Sequence, residues 1–164
     1  MQIRELLLPE FDLELSKARK TLERVPEDKP DFKPHEKSMS MSRLAGHIAQ
    51  LPAFGTMIVT MPELDFSTAG MRPLLMESRE QLLKAFDENA REAKTHLATV
   101  SNEELQQPWK LSFEGKPIVQ GTRYQMIRGL LINHIVHHRA QLGVYLRLNG
   151  VAVPSIYGPS ADEM

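Results

Sequence analysis

The sequence predicts an all-α protein, a bundle of four amphipathic helices with one short β-hairpin before the last helix. Apolar residues recur at three- and four-residue steps in four segments. Serine or threonine stands where each of the last three begins, and proline or glycine where the first, second and fourth stop. The one departure is the alternation Trp109, Leu111, Phe113 ahead of Glu114-Gly115, which reads as a hairpin. At 164 residues and 41% hydrophobic content, a single domain spanning 1–164 is expected.

In the first helix Phe11, Leu15, Ala18 and Leu22 share a face, Pro9 suits a first-turn position and Pro26 ends the segment. The linker EDKPDFKPHEKSM should be an exposed connection with Phe32 against the bundle and His35 facing solvent or hydrogen-bonded. A second helix starts at Ser40 as N-cap and runs to Pro62, with Leu44, His47, Leu51, Phe54 and Ile58 on one face. Pro52 cannot donate to the carbonyl of Ile48, so a kink or bulge is expected just after His47.

The third helix begins at Ser78 and lines up Leu82, Phe86, Ala90, Ala93 and Leu97, with His96 beside that stripe near the C-terminal end. In the hairpin, Pro117 limits the second arm to an edge. Thr122 and Gln125 have the spacing of a capping box, which starts the fourth helix at Thr122, and Asn149-Gly150 stops it. The tail VAVPSIYGPSADEM reads as irregular chain packed over one end of the bundle.

Composition excludes several functions. There are no cysteines, which removes disulfides, thiolate zinc sites, iron–sulfur clusters and a cysteine nucleophile, and leaves only nitrogen and oxygen ligands for a metal. A formal net charge of -1 without a basic block argues against nucleic acid as a partner. No run approaches the roughly 20 apolar residues that span a bilayer, and the start MQIRELLLPEFDLEL resembles neither a secretory signal nor an anchor. The expectation is a soluble cytoplasmic protein. Its nine methionines read as core filling rather than a soft-metal box.

The stretch LLINHIVHHRAQL puts three histidines within five residues of an apolar run. A helix advances about 100° per residue, and on that projection Ile127, Leu130, Leu131, Leu142, Tyr145 and Leu148 form one apolar stripe. His134 and His138 straddle the centre of the stripe and face inward, while His137 sits on its flank. Asn133 and Arg139 project away from it, toward the surface or a dimer contact. Residues four apart on a helix have Cβ atoms about 5–6 Å apart, close enough for two imidazoles to converge on one ion. His47, on the apolar stripe of the second helix, supplies a third candidate ligand if the two helices are neighbours. The competing reading is three neutral core histidines satisfied by hydrogen bonds. That is harder to arrange, because each ring brings a donor and an acceptor into a low-dielectric interior.

Three motifs, LAGHIAQLP in the second helix, NHIVHHRAQLGVYLRLNG in the fourth and the closing VPSIYGPSADE, make the sequence resemble the DinB/YfiT-like superfamily of metal-binding four-helix proteins. The resemblance covers the chain from about Lys33 to the end. It implies an up-down-down-up bundle with long crossovers, a homodimer, and a divalent metal ion such as zinc or nickel held by His47, His134 and His138. Some members are transferases or isomerases that use a low-molecular-weight thiol cosubstrate. An open three-histidine site on a small-molecule substrate would suit a metal-dependent transferase, of which a thiol S-transferase is the most concrete form, or a hydrolase. The alternative is a non-enzymatic bundle in which the metal crosslinks helices for stability or dimerisation. No general base is identified; His137 and Tyr157 are pocket-edge candidates whose plainer roles are a flanking polar residue and a packing aromatic.

Overall fold

The computed structural model describes residues 1–164 and is mostly helical, with a small three-stranded sheet. Helix α1 (Arg4–Leu22) buries Leu7, Phe11, Leu15, Ala18 and Leu22, the face its periodicity requires. Pro9 lies inside α1, beyond the first turn expected for it; lacking an N–H, it leaves the Glu5 carbonyl without its helical donor.

After the linker the chain forms two helices where the periodicity suggested one. Ser40 caps α2 (Met41–Gln50) by accepting from the Arg43 amide at 3.3 Å. Pro52 then breaks the segment, and α3 (Ala53–Thr60) restarts through Phe54 N–H to Leu51 O at 3.1 Å and Gly55 N–H to Pro52 O at 2.9 Å. The break falls one turn beyond His47, so the ring sits on the last full turn of α2. Ser78 caps α4 (Arg79–Leu97), which buries Leu82, Phe86, Ala93 and Leu97. A short α5 (Asn102–Gln106) closes on a capping box between Ser101 and Glu104 that the sequence reading passed over.

Strands β1 (Leu64–Asp65), β2 (Pro108–Phe113) and β3 (Lys116–Thr122) form one mixed sheet in that order. β2 and β3 pair antiparallel across Glu114 and Gly115, whose φ values of 50° and 73° are those of a two-residue hairpin turn, while β1 joins β2 in parallel. The all-α expectation is corrected to this extent: β1 lies far from the hairpin in sequence and carries only two residues, too few to show a period. Asp65 fixes the joint. Its carboxylate accepts from the Ser67 hydroxyl and amide, the Gly115 amide and the Ser112 hydroxyl, which together hold it well below the usual carboxylate range.

Thr122 and Gln125 close the second capping box and start the last helix, α6 (Arg123–Met126). Its continuation is a π-helical stretch, Ile127–Asn133, leading into α7 (His134–Leu148), and Gly150 stops it with φ 70°. Helices α1 and α2 both pack on α4 and on α7, so α2 and α7 lie side by side across the core.

The tail packs back on α1 and α7. Arg139 is 3% exposed and Glu14 5%, and their ion pair at 2.6 Å is joined by the Tyr157 hydroxyl, which donates to Glu14 Oε2 at 2.7 Å and accepts from Arg139 at 2.6 Å. Lys17 lies 3.6 Å above the Tyr157 ring. Burial pushes the Glu14 carboxyl up, but the Tyr157 and Arg139 hydrogen bonds and the charges of Arg139 and Lys17 outweigh it, so the net shift is downward. A carboxylate depressed in the folded state contributes stability above its unfolded value, 4.5, and loses it as the pH falls below that through the folded value. Urea unfolding at stepped pH is expected to show this acid-side decline, with a smaller slope in Glu14→Gln.

Candidate metal centre

His47 projects from the last turn of α2 and His134 and His138 from the first two turns of α7. The structure brings the three together. His47 Nε2 lies 3.4 Å from His134 Nε2, His138 Nε2 lies 2.9 Å from His134 Nε2, and one ring nitrogen from each falls within 4.8 Å of the others. The rings meet edge to face, His47 at 4.6 Å from His138 and 5.1 Å from His134 between centroids. His138 is buried at 8% exposure, the other two are half-buried, and His47 lines a hollow.

The far nitrogens of the α7 pair are engaged outward. His138 Nδ1 lies 2.7 Å from Gln141 Oε1, and His134 Nδ1 lies 3.4 Å from the Leu130 carbonyl. Both partners are acceptors, so Nδ1 carries the proton and the Nε2 lone pairs point at one another. Lone pairs 2.9 Å apart repel unless positive charge sits between them. Tetrahedral nitrogen ligands about 2.0–2.1 Å from zinc stand about 3.4 Å apart. The His47–His134 separation of 3.4 Å matches that spacing, and the 2.9 Å pair needs only a few tenths of an ångström more. A divalent ion therefore fits this donor set.

Electrostatics favour the neutral, ligating form. Burial lowers all three imidazoles, and in His47 the neighbouring His138, His134 and Arg43 add to it, to about 4. In His134 burial and His138 outweigh the hydrogen bond to Leu130; in His138 burial outweighs the bond to Gln141. At neutral pH each ring offers a lone pair.

The helical projection separated the α7 pair from His137, which is exposed and packs its ring 4.8 Å from that of His138. Its phase was nevertheless off. The buried residues of α7, Ile135, His138, Arg139, Leu142, Tyr145 and Leu146, centre on the far side of His138 rather than between His134 and His138. The π-helical turns, bonded i to i+5, slip the register between Ile127 and His134, so residues upstream misplaced the stripe. This is why Arg139, expected at the surface, is buried against Glu14, and why Leu148, expected inside, is exposed.

Of the remaining candidates, Tyr157 commits its hydroxyl to Glu14 and Arg139, His35 is exposed and accepts from the Lys37 amide, and His96 is half-buried near the end of α4. The sequence reading missed Gln141, three residues after His138 on the same face, a spacing that could have flagged it. It also missed Arg43 and Gln50, which flank His47 at four and three residues and line the same hollow of about 310 Å³ with Phe54, Phe66 and Arg72. A larger hollow of about 750 Å³ between Trp109, Gln120 and Gln125 contains none of the histidines.

Comparison with known proteins places the chain. An uncharacterized protein of Bacillus subtilis (strain 168), YrdA, is 37% identical over 54 residues, which are 33% of this chain and 30% of that protein. The crystal structure of a DinB-like protein from Bacillus subtilis superposes with a TM-score of 0.70 at 19% identity, covering 93% of this chain and 99% of that one. A DinB-like protein from Bacillus cereus gives 0.70 at 21% identity, covering 95% and 98%. The DinB family matches residues 1–164, the whole chain, and the protein belongs to that family.

Proposed function

We propose that His47, His134 and His138 bind one divalent metal ion, zinc or nickel, and that the protein is a metal-dependent enzyme of the thiol S-transferase type or of related nucleophile-activating chemistry. The observation that carries this reading is the convergence of three neutral ring nitrogens within 4.8 Å of one another, one of them on His47, which lines a hollow. Such an ion, when bound, supplies a Lewis acid that lowers the pKa of a thiol or water. The chain's own part is to hold the rings. α2 and α7 fix them from two sides, and Gln141 and the Leu130 carbonyl set the tautomers that leave Nε2 free. With no cysteine in the chain, a reactive sulfur enters on a cosubstrate.

The same reading takes the long helices as an up-down-down-up bundle and the protein as a cytoplasmic homodimer acting on a small molecule, with neither nucleic acid nor membrane as partner. Leu6 and Leu13 of α1 and Val144 and Leu148 of α7 are exposed on helices that pack together, which supports the dimer. No helix is long and apolar enough to cross a membrane.

Chelation tests the role of the ion. Stripping it with EDTA is expected to abolish conjugation of small thiols to an electrophile panel while the protein stays folded in a thermal melt. A large fall in melting temperature, with no metal-dependent turnover on any pair, would instead support an ion that crosslinks α2 and α7. Gln141→Ala is expected to weaken metal affinity by roughly 10–100-fold, measured by competition with a chromophoric chelator, because the His138 ring loses its orienting acceptor.

A further inference from the structure

Beside the histidine cluster lies a hollow whose charge is one-sided. Arg43, His47, Gln50, Phe54, Phe66, Met71, Arg72 and Pro73 line it, and no carboxylate is among them. Arg43 stands one helical turn before His47 on α2, so the two side chains share a face. Its Nη1 is buried and has no hydrogen-bond partner. A buried guanidinium nitrogen without an acceptor is costly, and charged donors left in this state are rare in folded chains. Arg72 adds a second positive charge at the mouth, where its side chain is exposed.

The other polar group of the hollow is already committed. Gln50 donates to the Arg72 carbonyl at 2.8 Å and accepts from the Leu74 amide at 2.9 Å, stapling the wall that carries Met71, Arg72 and Pro73. Opposite, Phe54 and Phe66 meet edge to face with centroids 6.2 Å apart. The hollow thus offers an unpaired cation, an apolar wall and, at one side, His47. Its volume of about 310 Å³ suits a small molecule.

We propose that this hollow binds a small amphipathic anion, its carboxylate or phosphate head on Arg43 with Arg72 at the entrance and its apolar body against Phe54, Phe66 and Met71. That assigns the substrate class of the proposed enzyme and makes Arg43 its specificity-determining residue. The assignment rests on the proposed function only in calling the anion a substrate; the binding itself needs no metal.

Calorimetric titration with phenylacetate, phenyl phosphate and neutral phenylacetamide tests it, on the protein as purified and after chelation. The proposal expects saturable binding of at least one anion in both preparations, and binding of phenylacetamide at least about tenfold weaker. The head group is identified by which anion binds more tightly. Arg43→Gln is expected to lose at least about tenfold in anion affinity, the scale of a charge-assisted hydrogen bond, while its metal content stays at the wild-type level. Arg43→Lys should recover part of the loss. Arg72→Gln alters an exposed side chain and leaves the core intact, so its expected loss of about threefold reads the charge even if Arg43→Gln unfolds. Equal binding of phenylacetamide, no binding of either anion, or unchanged affinity in folded Arg43→Gln and in Arg72→Gln would overturn the proposal. His134→Ala separates the two readings: it should lose metal and keep the anion, and anion binding in a protein that never takes up metal would leave this inference standing and the metal-dependent function refuted.

Discussion

Replacing Arg139 by alanine is expected to destabilise the protein by about 3–5 kcal/mol, roughly 6–20 °C in melting temperature. The size follows from what is left behind. Glu14 would remain buried at 5% exposure with only the more distant Lys17 ammonium, 3.7 Å away, as a cation, and Tyr157 would lose the guanidinium that orients its hydroxyl. Arg139 also anchors the C-terminal tail, so the same substitution should raise protease cleavage within residues 151–164. The double substitution Arg139→Met with Glu14→Leu removes both charges and is expected to recover most of the loss, since apolar replacements of a buried pair are often neutral. Equilibrium unfolding in urea measures both; an Arg139→Ala protein within about 1 kcal/mol of wild type would show that the pair carries little.

The second large effect is expected at Gly46. A Cβ there would lie 1.9 Å from the Leu74 carbonyl oxygen and 2.7 Å from its carbon, both backbone atoms. The segment cannot simply drift, because Gln50 holds Leu74 and the Ser42 hydroxyl accepts from the Met76 amide at 2.8 Å. Gly46→Ala is therefore expected to cost about 3 kcal/mol, the upper end for overpacking, and to displace the wall made by Met71, Arg72 and Pro73. Gly129→Ala is the control, with nothing within 4 Å of the added carbon, and should leave the melting temperature unchanged or slightly higher. Thermal melts of the two variants decide the point.

Both effects were hidden from the sequence for the same reason: each depends on a long-range neighbour. Nothing around Gly46 announces that residue 74 crosses it, and nothing around Arg139 announces Glu14, 125 positions away. What was legible is local. Ser40, Ser78 and Thr122 cap the helices they were expected to cap, because an N-cap satisfies amides within three residues of itself. The i, i+4 pair His134 and His138 was likewise readable, since one helical turn sets their separation. Their exact phase was not, because the π-helical stretch before His134 changes the number of residues per turn without a proline, and its one glycine, Gly129, does not tell a periodicity count that the register slips. His47 was found through its apolar stripe; Arg43, on the same face, was passed over because an arginine beside a core stripe usually only reaches to solvent.

The metal reading stands or falls on the three imidazoles as ligands of one ion. The most direct measurement is elemental analysis of protein purified after expression in zinc- and nickel-supplemented medium, wild type beside His134→Ala. About one equivalent of a divalent metal per chain in the wild type, falling below about a tenth in the variant, is the predicted result. Metal-free wild type, or equal metal in both, would contradict it.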